Sequence, residues 1–289
     1  MGWRCVVIDS PCKLSVSDGH LIVRNDEVRK IHLSEIYYLM IACPAVNITG
    51  IALMELTRSK IKVILCDERR DPYGEVTGYY GSHNCAKQLR KQLEWQEGAV
   101  CFVGTEIVAQ KIRNQAALLE KYGFEERAAM LRGYAAEVLP GDTSNREGHA
   151  AKVYFNTLFG KEFTRERDCT VNSVLNYGYS ILLSCINREV VGCGRLTQLG
   201  LTHRNEFNEF NLSCDLIEPF RVLVDEYAYL NAEKPFGKES KFELVGMLNK
   251  KVMYGKEFCL NDAIANYVRN VFDCLDSDGQ NGLYLYEFA

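Results

Sequence analysis

The residues best suited to chemistry lie in one stretch, from Gly200 to Arg221, whose sequence is GLTHRNEFNEFNLSCDLIEPFR. Within it, His203 precedes two acids, Asp215 and Glu218, that lie three positions apart. Residues three apart on a helix share a face, so these two carboxylates are expected to point the same way. Imidazole and carboxylate groups bind divalent metals, and one more carboxylate from elsewhere would complete a site. The stretch therefore predicts metal-assisted chemistry.

The further carboxylate that the sequence offers is Glu147, which precedes Gly-His-Ala-Ala-Lys. The small side chains of Ala150 and Ala151 would leave room for a ligand beside an inward-facing Glu147. The alternative is structural, because Ser144-x-x-Glu147 fits the capping box, in which the glutamate caps the start of its own helix. The residues alone leave both interpretations open.

The candidate metal ligands in the stretch 200–221 also have structural interpretations. A single histidine such as His203 is more often held by a structural hydrogen bond than by a metal. Asp215 and Glu218 would also suit a first helical turn, where acids oppose the positive end of the helix dipole. Pro219 supports a helix start nearby, because proline is tolerated where no backbone N–H bond is due. His149 is explained by a solvated helical turn and is expected to be dispensable.

Composition narrows the classes of function. A formal charge of −4 argues against a protein that coats nucleic acid by bulk electrostatics, although Lys87, Arg90 and Lys91 would form a local basic helix face. The sequence contains no GxxxxGK(S/T) or GxGxxG loop that would indicate a nucleotide-driven enzyme.

Its 12 cysteines include no CxxC pair, so we expect reduced thiols rather than a zinc ribbon. No secretory leader or apolar run of ~18 residues is evident, so we expect a cytoplasmic protein that does not span a membrane.

The predicted fold class is α+β, with a small β-rich domain over 1–80 and a larger all-α domain over 81–289. Asp18-Gly19 between two strand-like segments predicts a hairpin, and the apolar runs 36–42 and 62–66 predict buried strands. A short helix is expected over 49–56, and 67–81 is expected to connect the two domains. From residue 83 onward the periodicity is helical, with a stop at Tyr122-Gly123. Later helices are expected over 124–139, 171–185, 220–230, 241–253 and 260–275.

Four segments together resemble the CRISPR-associated spacer-acquisition integrases of the Cas1 family. They are Glu147-Gly-His-Ala-Ala-Lys-Val-Tyr-Phe, Asn172-Ser-Val-Leu-Asn-Tyr-Gly-Tyr, Gly-Leu-Thr-His203 and Asp215-Leu-Ile-Glu-Pro-Phe-Arg. Lys111-Ile-Arg-Asn-Gln is similar to the central helix of the family, and the order of the segments matches over essentially the whole chain. His203-Arg-Asn followed by Asn208-Glu-Phe-Asn-Leu is most similar to the type II lineage, which works with a single large effector nuclease.

The resemblance implies that Glu147, His203 and Glu218 are the catalytic residues and the ligands of Mg²⁺ or Mn²⁺, with Asp215 in support. Glu218 stands where many relatives carry aspartate, and both side chains supply hard oxygen ligands. An imidazole ligand suits Mn²⁺, and Mg²⁺ is the expected cellular ion. Candidate DNA contacts are Lys87, Arg90, Lys91, Lys152, Arg204 and Arg221. Lys152 replaces an arginine that is common in the family, which would weaken a bidentate phosphate contact.

The implied activity is DNA transesterification, in which 3′-hydroxyls of a short DNA fragment attack phosphodiesters at the repeat of a CRISPR array. The implied assembly is a homodimer formed through 1–80, and two such dimers flank a Cas2 dimer in a heterohexameric complex. Type II systems add the effector nuclease and a further adaptation protein as partners. Two alternatives remain open: a metal-dependent endonuclease that hydrolyses branched DNA with the same ligands, and a non-catalytic DNA-binding scaffold. No general base is evident from the sequence.

Overall fold

The computed structural model describes residues 2, 4–76, 78 and 84–289, and it has a strand-rich first part and a helical second part. The strands are β1 (Arg4–Ile8), β2 (Lys13–Ser17), β3 (His20–Arg24), β4 (Val28–His32), β5 (Ile36–Ile41), β6 (Asn47–Ile48), β7 (Lys62–Cys66), β8 (Pro72–Val76), β9 (Lys251–Tyr254) and β10 (Lys256–Cys259). The helices are α1 (Gly50–Arg58), α2 (Cys85–Leu93), α3 (Glu97–Lys121), α4 (Glu125–Ala136), α5 (Arg146–Phe159), α6 (Thr170–Gly192), α7 (Asn211–Ile217), α8 (Arg221–Leu230), α9 (Lys238–Gly246) and α10 (Leu260–Asp276). This arrangement confirms the predicted α+β class.

The first part contains two four-stranded sheets, with strand orders β1-β5-β7-β8 and β4-β3-β2-β6. The predicted hairpin is confirmed, because β2 and β3 pair antiparallel across Asp18 and Gly19, whose φ angles are 51° and 72°. Two positive φ angles match the right-handed twist of a two-residue hairpin. All six residues of β5 are buried, as its apolar run predicts, and it pairs in parallel with β1 and β7.

Of two further predictions for the first part, one is confirmed and one is wrong. Helix α1 is confirmed, since Thr49 caps it by accepting a hydrogen bond from the backbone N–H of Ala52 at 3.2 Å. The prediction that 67–81 only connects two domains is wrong for 72–76, which form β8 antiparallel to β7. The predicted domain boundary at residue 80 lies outside the described residues.

The helical part is built around the long helices α3 and α6. The predicted stop of α3 is confirmed, because Gly123 adopts a φ of 82° just beyond it. The helix expected over 241–253 is wrong in its second half, where a 3₁₀ turn leads into the antiparallel hairpin β9–β10. Gly255, with a φ of 72°, supplies the turn of that hairpin, so the second part is helical with one small β insertion.

One hydrophobic core runs through both parts. Tyr38 and Met40 on β5 are buried together with apolar residues of α3, α6 and α8. Helix α6 approaches α8 closely at Gly178, where an added Cβ would lie 2.4 Å from a methyl carbon of Val224. A glycine is therefore needed at this crossing. Among the described residues, no helix is both long and apolar enough to cross a membrane.

Candidate metal centre

Asp215 organises the turn that carries His203. Its buried carboxylate accepts hydrogen bonds from the backbone N–H groups of Leu201 at 2.5 Å, Thr202 at 3.2 Å and His203 at 3.1 Å. The hydroxyl of Thr202 also donates to it. The chain closes tightly around the carboxylate at Gly200, where a Cβ would lie 2.3 Å from the carbonyl oxygen of His203. The predicted alternative, a first-turn acid opposing a helix dipole, is wrong for Asp215, which lies past the middle of α7.

The imidazole of His203 is held in one orientation by the same carboxylate. Its Nδ1 donates to Oδ1 of Asp215 at 2.7 Å, which leaves Nε2 as the nitrogen with a free lone pair. The hydrogen bond to Asp215 raises the pKa of His203 above its usual value, although partial burial opposes this. The side chain keeps 39% of its surface exposed, so the imidazole is not shielded from solvent.

Glu218 lies at the break between α7 and α8. The 3₁₀ turn over 218–220 contains Pro219, which has no N–H to continue an α-helical ladder. The Glu218 carboxylate is only 4% exposed; Nε of Arg221 donates to its Oε1 at 2.9 Å, and Nζ of Lys111 lies 2.6 Å from its Oε2. Burial alone would raise the pKa of Glu218, but the charges of Arg221 and Lys111 lower it to about 2.

Glu147 reaches the same lysine from α5. Asp142, not Glu147, caps this helix: its carboxylate accepts from the backbone N–H of Arg146 at 2.8 Å and of Glu147 at 3.0 Å. The predicted capping-box alternative is therefore wrong. The Glu147 side chain is free to turn inward, where its Oε1 accepts a hydrogen bond from Nζ of Lys111 at 2.5 Å. A single ammonium group consequently joins carboxylates from α5 and from the 218–220 turn.

Lys111 lies on the buried face of α3, and the sequence assigned it no role. The buried residues of this helix include Ile107, Val108, Asn114 and Leu118, so the lysine at 111 lies among side chains that are uncharged and shielded from solvent. Opposite charges stabilise it there: burial would lower the pKa of Lys111, but the charges of Glu218 and Glu147 raise it. A charged residue on an otherwise buried helix face is the sequence signal that could have identified it.

The chemistry of this cluster suits a divalent metal. Glu147 and Glu218 offer hard oxygen donors and His203 offers an imidazole nitrogen. Oε2 of Glu218 is buried and lies 2.6 Å from Nζ of Lys111. Within the described ranges, no three or more His, Cys, Asp and Glu side chains are already gathered around a possible metal position. Lys111 takes the space between two of the candidate ligands.

A second buried carboxylate, Asp225, lies on α8 below this cluster. It accepts hydrogen bonds from the hydroxyl groups of Tyr154 on α5, at 2.9 Å, and Tyr179 on α6. Burial raises its pKa to about 6, although the two tyrosine hydrogen bonds and the charges of Arg221 and Lys111 act against this rise. Sequence analysis missed Asp225, because a single acid in an apolar helix gives no sign of its partners.

The predicted basic face on α2 is found at the surface. Lys87 and Arg90 are exposed. Lys91 is also exposed, and its Nζ lies 3.1 Å from a carboxylate oxygen of Asp276. The Asp276 side chain is only 15% exposed and also binds Arg195, so this pair belongs to a partly buried network.

The remaining candidate DNA contacts differ in their exposure. Lys152 is exposed on α5, and Arg204 is exposed beside His203. Arg221 points inward, with its guanidinium 4.5 Å from the centre of the Tyr179 ring and bound to Glu218. An open groove of about 480 Å³ runs past His203 and Arg204.

The fold has close counterparts among solved structures. A casposase bound to integration product superposes with a TM-score of 0.78 at 19% identity, over 96% of this chain and 92% of that one. A chain of a Cas6-RT-Cas1–Cas2 complex gives a TM-score of 0.74 at 20% identity; the match covers 97% of this chain but only 36% of that longer chain. This chain thus shares its fold, a strand-rich part followed by a helical part, with both of these proteins.

Sequence relatives agree with the structural likeness. Residues 5–250 match the family described as CRISPR associated protein Cas1. The CRISPR-associated endonuclease Cas1 of Neisseria meningitidis serogroup C is 38% identical over 226 residues, which are 78% of this chain and 74% of that protein. This protein belongs to the Cas1 family.

Proposed function

We propose that this protein is a spacer-acquisition integrase, which joins 3′-hydroxyl ends of a short DNA fragment to phosphodiesters at a CRISPR repeat. The observation that carries the proposal is the cluster in which the carboxylates of Glu147 and Glu218 share one cation beside the oriented imidazole of His203. Membership of the Cas1 family supports a role in CRISPR adaptation. The likeness to a casposase solved with an integration product supports joining over cleavage alone.

The proposed cofactor is Mg²⁺ or Mn²⁺, held by Glu147, Glu218 and Nε2 of His203. When bound, it would polarise the target phosphate and favour the alkoxide form of the attacking hydroxyl. The protein's own contribution is orientation. Asp215 fixes the tautomer of His203, and Arg221 holds one oxygen of Glu218 so that the other faces Lys111 and Glu147.

The proposed reaction exchanges one phosphodiester for another. A bond forms between the 3′ oxygen of the fragment and the target phosphorus, and the bond from that phosphorus to the 3′ oxygen of the target breaks. The attacking hydroxyl loses a proton and the departing 3′ oxygen gains one. The number of phosphodiesters is unchanged, so the reaction needs no ATP, which agrees with the absence of a phosphate-binding loop from the sequence.

The proposed partners are DNA, a second copy of this chain and a Cas2 dimer, in a heterohexameric complex. A Cas1–Cas2 complex among the similar structures supports the Cas2 partner. We assign dimerisation to the β-rich domain over 1–80 and catalysis to the helical domain over 81–289. Lys87, Arg90, Lys91, Lys152 and Arg204 are proposed to contact DNA phosphates. The type II effector nuclease and a further adaptation protein are proposed as additional partners.

A hydrolytic DNA endonuclease is the second candidate, because the curated relatives are named endonucleases. The same three ligands would then serve a reaction in which water replaces the 3′-hydroxyl. The groove beside His203 is open enough to admit water. The two candidates therefore differ in the attacking group and not in the site.

The test uses a short duplex whose strands end in a 3′-deoxy group, with a supercoiled array plasmid, Mn²⁺ and Cas2. An integrase binds this duplex but does not join it, and the plasmid stays largely uncut, because the attacking hydroxyl must be held in line with the phosphate. A hydrolytic nuclease cuts the plasmid as well as before. Unchanged cutting with the deoxy-ended duplex would overturn the proposed joining reaction.

Alanine variants of the three proposed ligands test, in the same assay, whether these residues form the catalytic site. Glu147→Ala, His203→Ala and Glu218→Ala should each abolish joining while DNA binding survives, because most binding energy comes from phosphate contacts elsewhere. Glu126→Ala, which removes an exposed acid from α4, is the matched control and should join as the wild type does. Joining that persists in Glu218→Ala would remove that residue from the site.

A further inference from the structure

Lys111 lies where a bound cation would contact both carboxylates of the proposed metal site. Its Nζ is 2.5 Å from Oε1 of Glu147 and 2.6 Å from Oε2 of Glu218. Oxygen ligands lie at about 2.0–2.6 Å from Mg²⁺ or Ca²⁺, so an ammonium at these distances fills nearly the same space as a metal. A divalent ion held by both carboxylates would occupy the space that the ammonium fills, so the two would exclude each other.

The charges lead to the same conclusion. The two carboxylates are balanced by two cations, Lys111 and Arg221, both within reach of Glu218. A divalent ion that entered with the ammonium in place would set like charges against each other in a site that is largely shielded from water. Arg221 is fixed by its bond to Glu218 and its contact with the Tyr179 ring, whereas the lysine side chain is a flexible stem. Lys111 is the cation that can leave.

We propose that Lys111 is an internal counter-cation that holds Glu147 and Glu218 together before metal binding and is then exchanged for the divalent ion. The inference rests on the proposed metal-dependent function and adds a positioning role that the metal ligands themselves do not provide.

The structure indicates where the displaced ammonium goes. Glu218 is 4% exposed, whereas Glu147 and His203 keep 31% and 39% of their side-chain surface exposed, so the cluster opens on the side of the latter two. Exchange moves the ammonium toward that opening. A positive charge is then presented on the side from which a DNA phosphate would approach.

The test measures Mn²⁺ binding to chelator-treated, DNA-free protein by calorimetry. Lys111→Met keeps an unbranched side chain but removes the competing charge, so the affinity for Mn²⁺ should rise by roughly tenfold or more, while thermal stability in EDTA falls. Lys161→Met, which removes an exposed lysine just beyond α5, is the matched control and should leave the affinity unchanged. A purely structural lysine predicts the reverse, with Mn²⁺ affinity that is unchanged or weaker in Lys111→Met, and that result would overturn the inference.

A second measurement uses the wild-type protein and does not depend on a variant that must fold. Acylation of lysine amines, read by peptide mass spectrometry, should be slow at Lys111 in EDTA and should increase as Mg²⁺ is added, while acylation of Lys161 stays constant. Lys111 acylation that is unaffected or reduced by Mg²⁺ would contradict the exchange.

The same calorimetry separates this inference from the proposed function. If Glu218→Ala binds Mn²⁺ as tightly as the wild type, the metal is not at this site and the proposed function fails. If Glu218→Ala loses Mn²⁺ binding but Lys111→Met does not gain affinity, only the exchange role of Lys111 fails.

Discussion

The hydroxyl of Tyr154 donates a 2.9 Å hydrogen bond to Oδ2 of Asp225, and this bond ties the helix that carries Glu147 to the helix that follows Glu218. Tyr179 on α6 donates to the other oxygen of the same carboxylate. Three helices thus meet on one buried acid directly behind the proposed metal ligands. These hydrogen bonds help to fix the positions of the helices that carry or flank the proposed ligands.

Asp225 should give the protein an unusual pH dependence. Its pKa rises from 3.8 to about 6 on folding, so the folded state holds a proton that the unfolded state has already lost. Stability from this group is therefore fully present below pH ~4 and decreases as pH rises to ~6, by about 3 kcal/mol. Asp225→Asn does not titrate, so its stability relative to wild type should be about 3 kcal/mol more favourable at pH 7.5 than at pH 3.5.

Denaturant unfolding of wild type and variant at several pH values checks this prediction. Asp278→Asn, which changes an acid in the turn after α10, is the control and should show no such change in relative stability with pH. A stability difference between Asp225→Asn and wild type that stays constant from pH 3.5 to 7.5 would contradict the raised pKa.

Asp215→Asn should loosen the turn that carries His203. An amide can offer only one oxygen, and its NH₂ group would face backbone N–H donors at Leu201 and Thr202. Hydrogen exchange at residues 201–203 should become faster, and Mn²⁺ should bind about 10- to 100-fold more weakly, as is typical when a partner of a ligating histidine is lost. Retention of wild-type exchange rates at these amides would show that the carboxylate is not needed to close the turn.

Asn114 fixes the Glu218 turn from the opposite side. Its Nδ2 donates to the carbonyl oxygens of Pro219 at 2.8 Å and Tyr286 at 2.9 Å, while its Oδ1 accepts from Phe288 N–H and the Gln110 side chain. Asn114→Asp cannot donate and adds a buried charge, so we expect a loss of about 3 kcal/mol or more in the free energy of unfolding.

The control for this variant is Asn270→Asp. Asn270 also binds the C-terminal segment, with Nδ2 donating to the Gly282 carbonyl at 3.0 Å, but it is only partly buried. Its replacement should cost about 1 kcal/mol or less. Equal effects of the two variants in denaturant titrations would mean that burial of Asn114 is not what makes it important.

The assembly prediction concerns the mass in solution. If residues 1–80 form the proposed dimer interface, light scattering should give twice the 32.9 kDa of one chain. The second sheet ends at β4, four of whose five residues are exposed, so it offers an open surface for a partner. A monomer at high micromolar concentration would contradict this assignment.

The family resemblance, and not residue type alone, grouped Glu147, His203, Asp215 and Glu218, because acids and a histidine at these positions also have structural interpretations. Sequence analysis did not assign a role to Lys111, because a lysine is expected at the surface unless the other residues on its helix face are buried. The separation of Lys111 from Glu218 along the chain also hid their pairing. Long-range ion pairs of this kind require the fold before they can be recognised.

The missed strand β8 has a similar explanation. Its sequence, Pro-Tyr-Gly-Glu-Val, is typical of a turn, and only its place as the last strand of the described sheet makes proline acceptable there. Glu75 on this strand meets the buried ammonium of Lys62 on β7. The carboxylate of Glu75 is thus paired with a lysine on the neighbouring strand. Local sequence patterns do not reveal this pairing, because they place a charged residue in solvent.

The closed turn around Asp215 has a consequence for the order of folding. Its contacts span only 12 to 14 residues, so closing this loop costs little chain entropy and can occur early. The contact between Lys111 and Glu147 spans 36 residues, and that between Asn114 and Pro219 spans 105. We therefore expect a folding chain to complete the histidine half of the site locally and to join the carboxylate half to it only when the long helices dock.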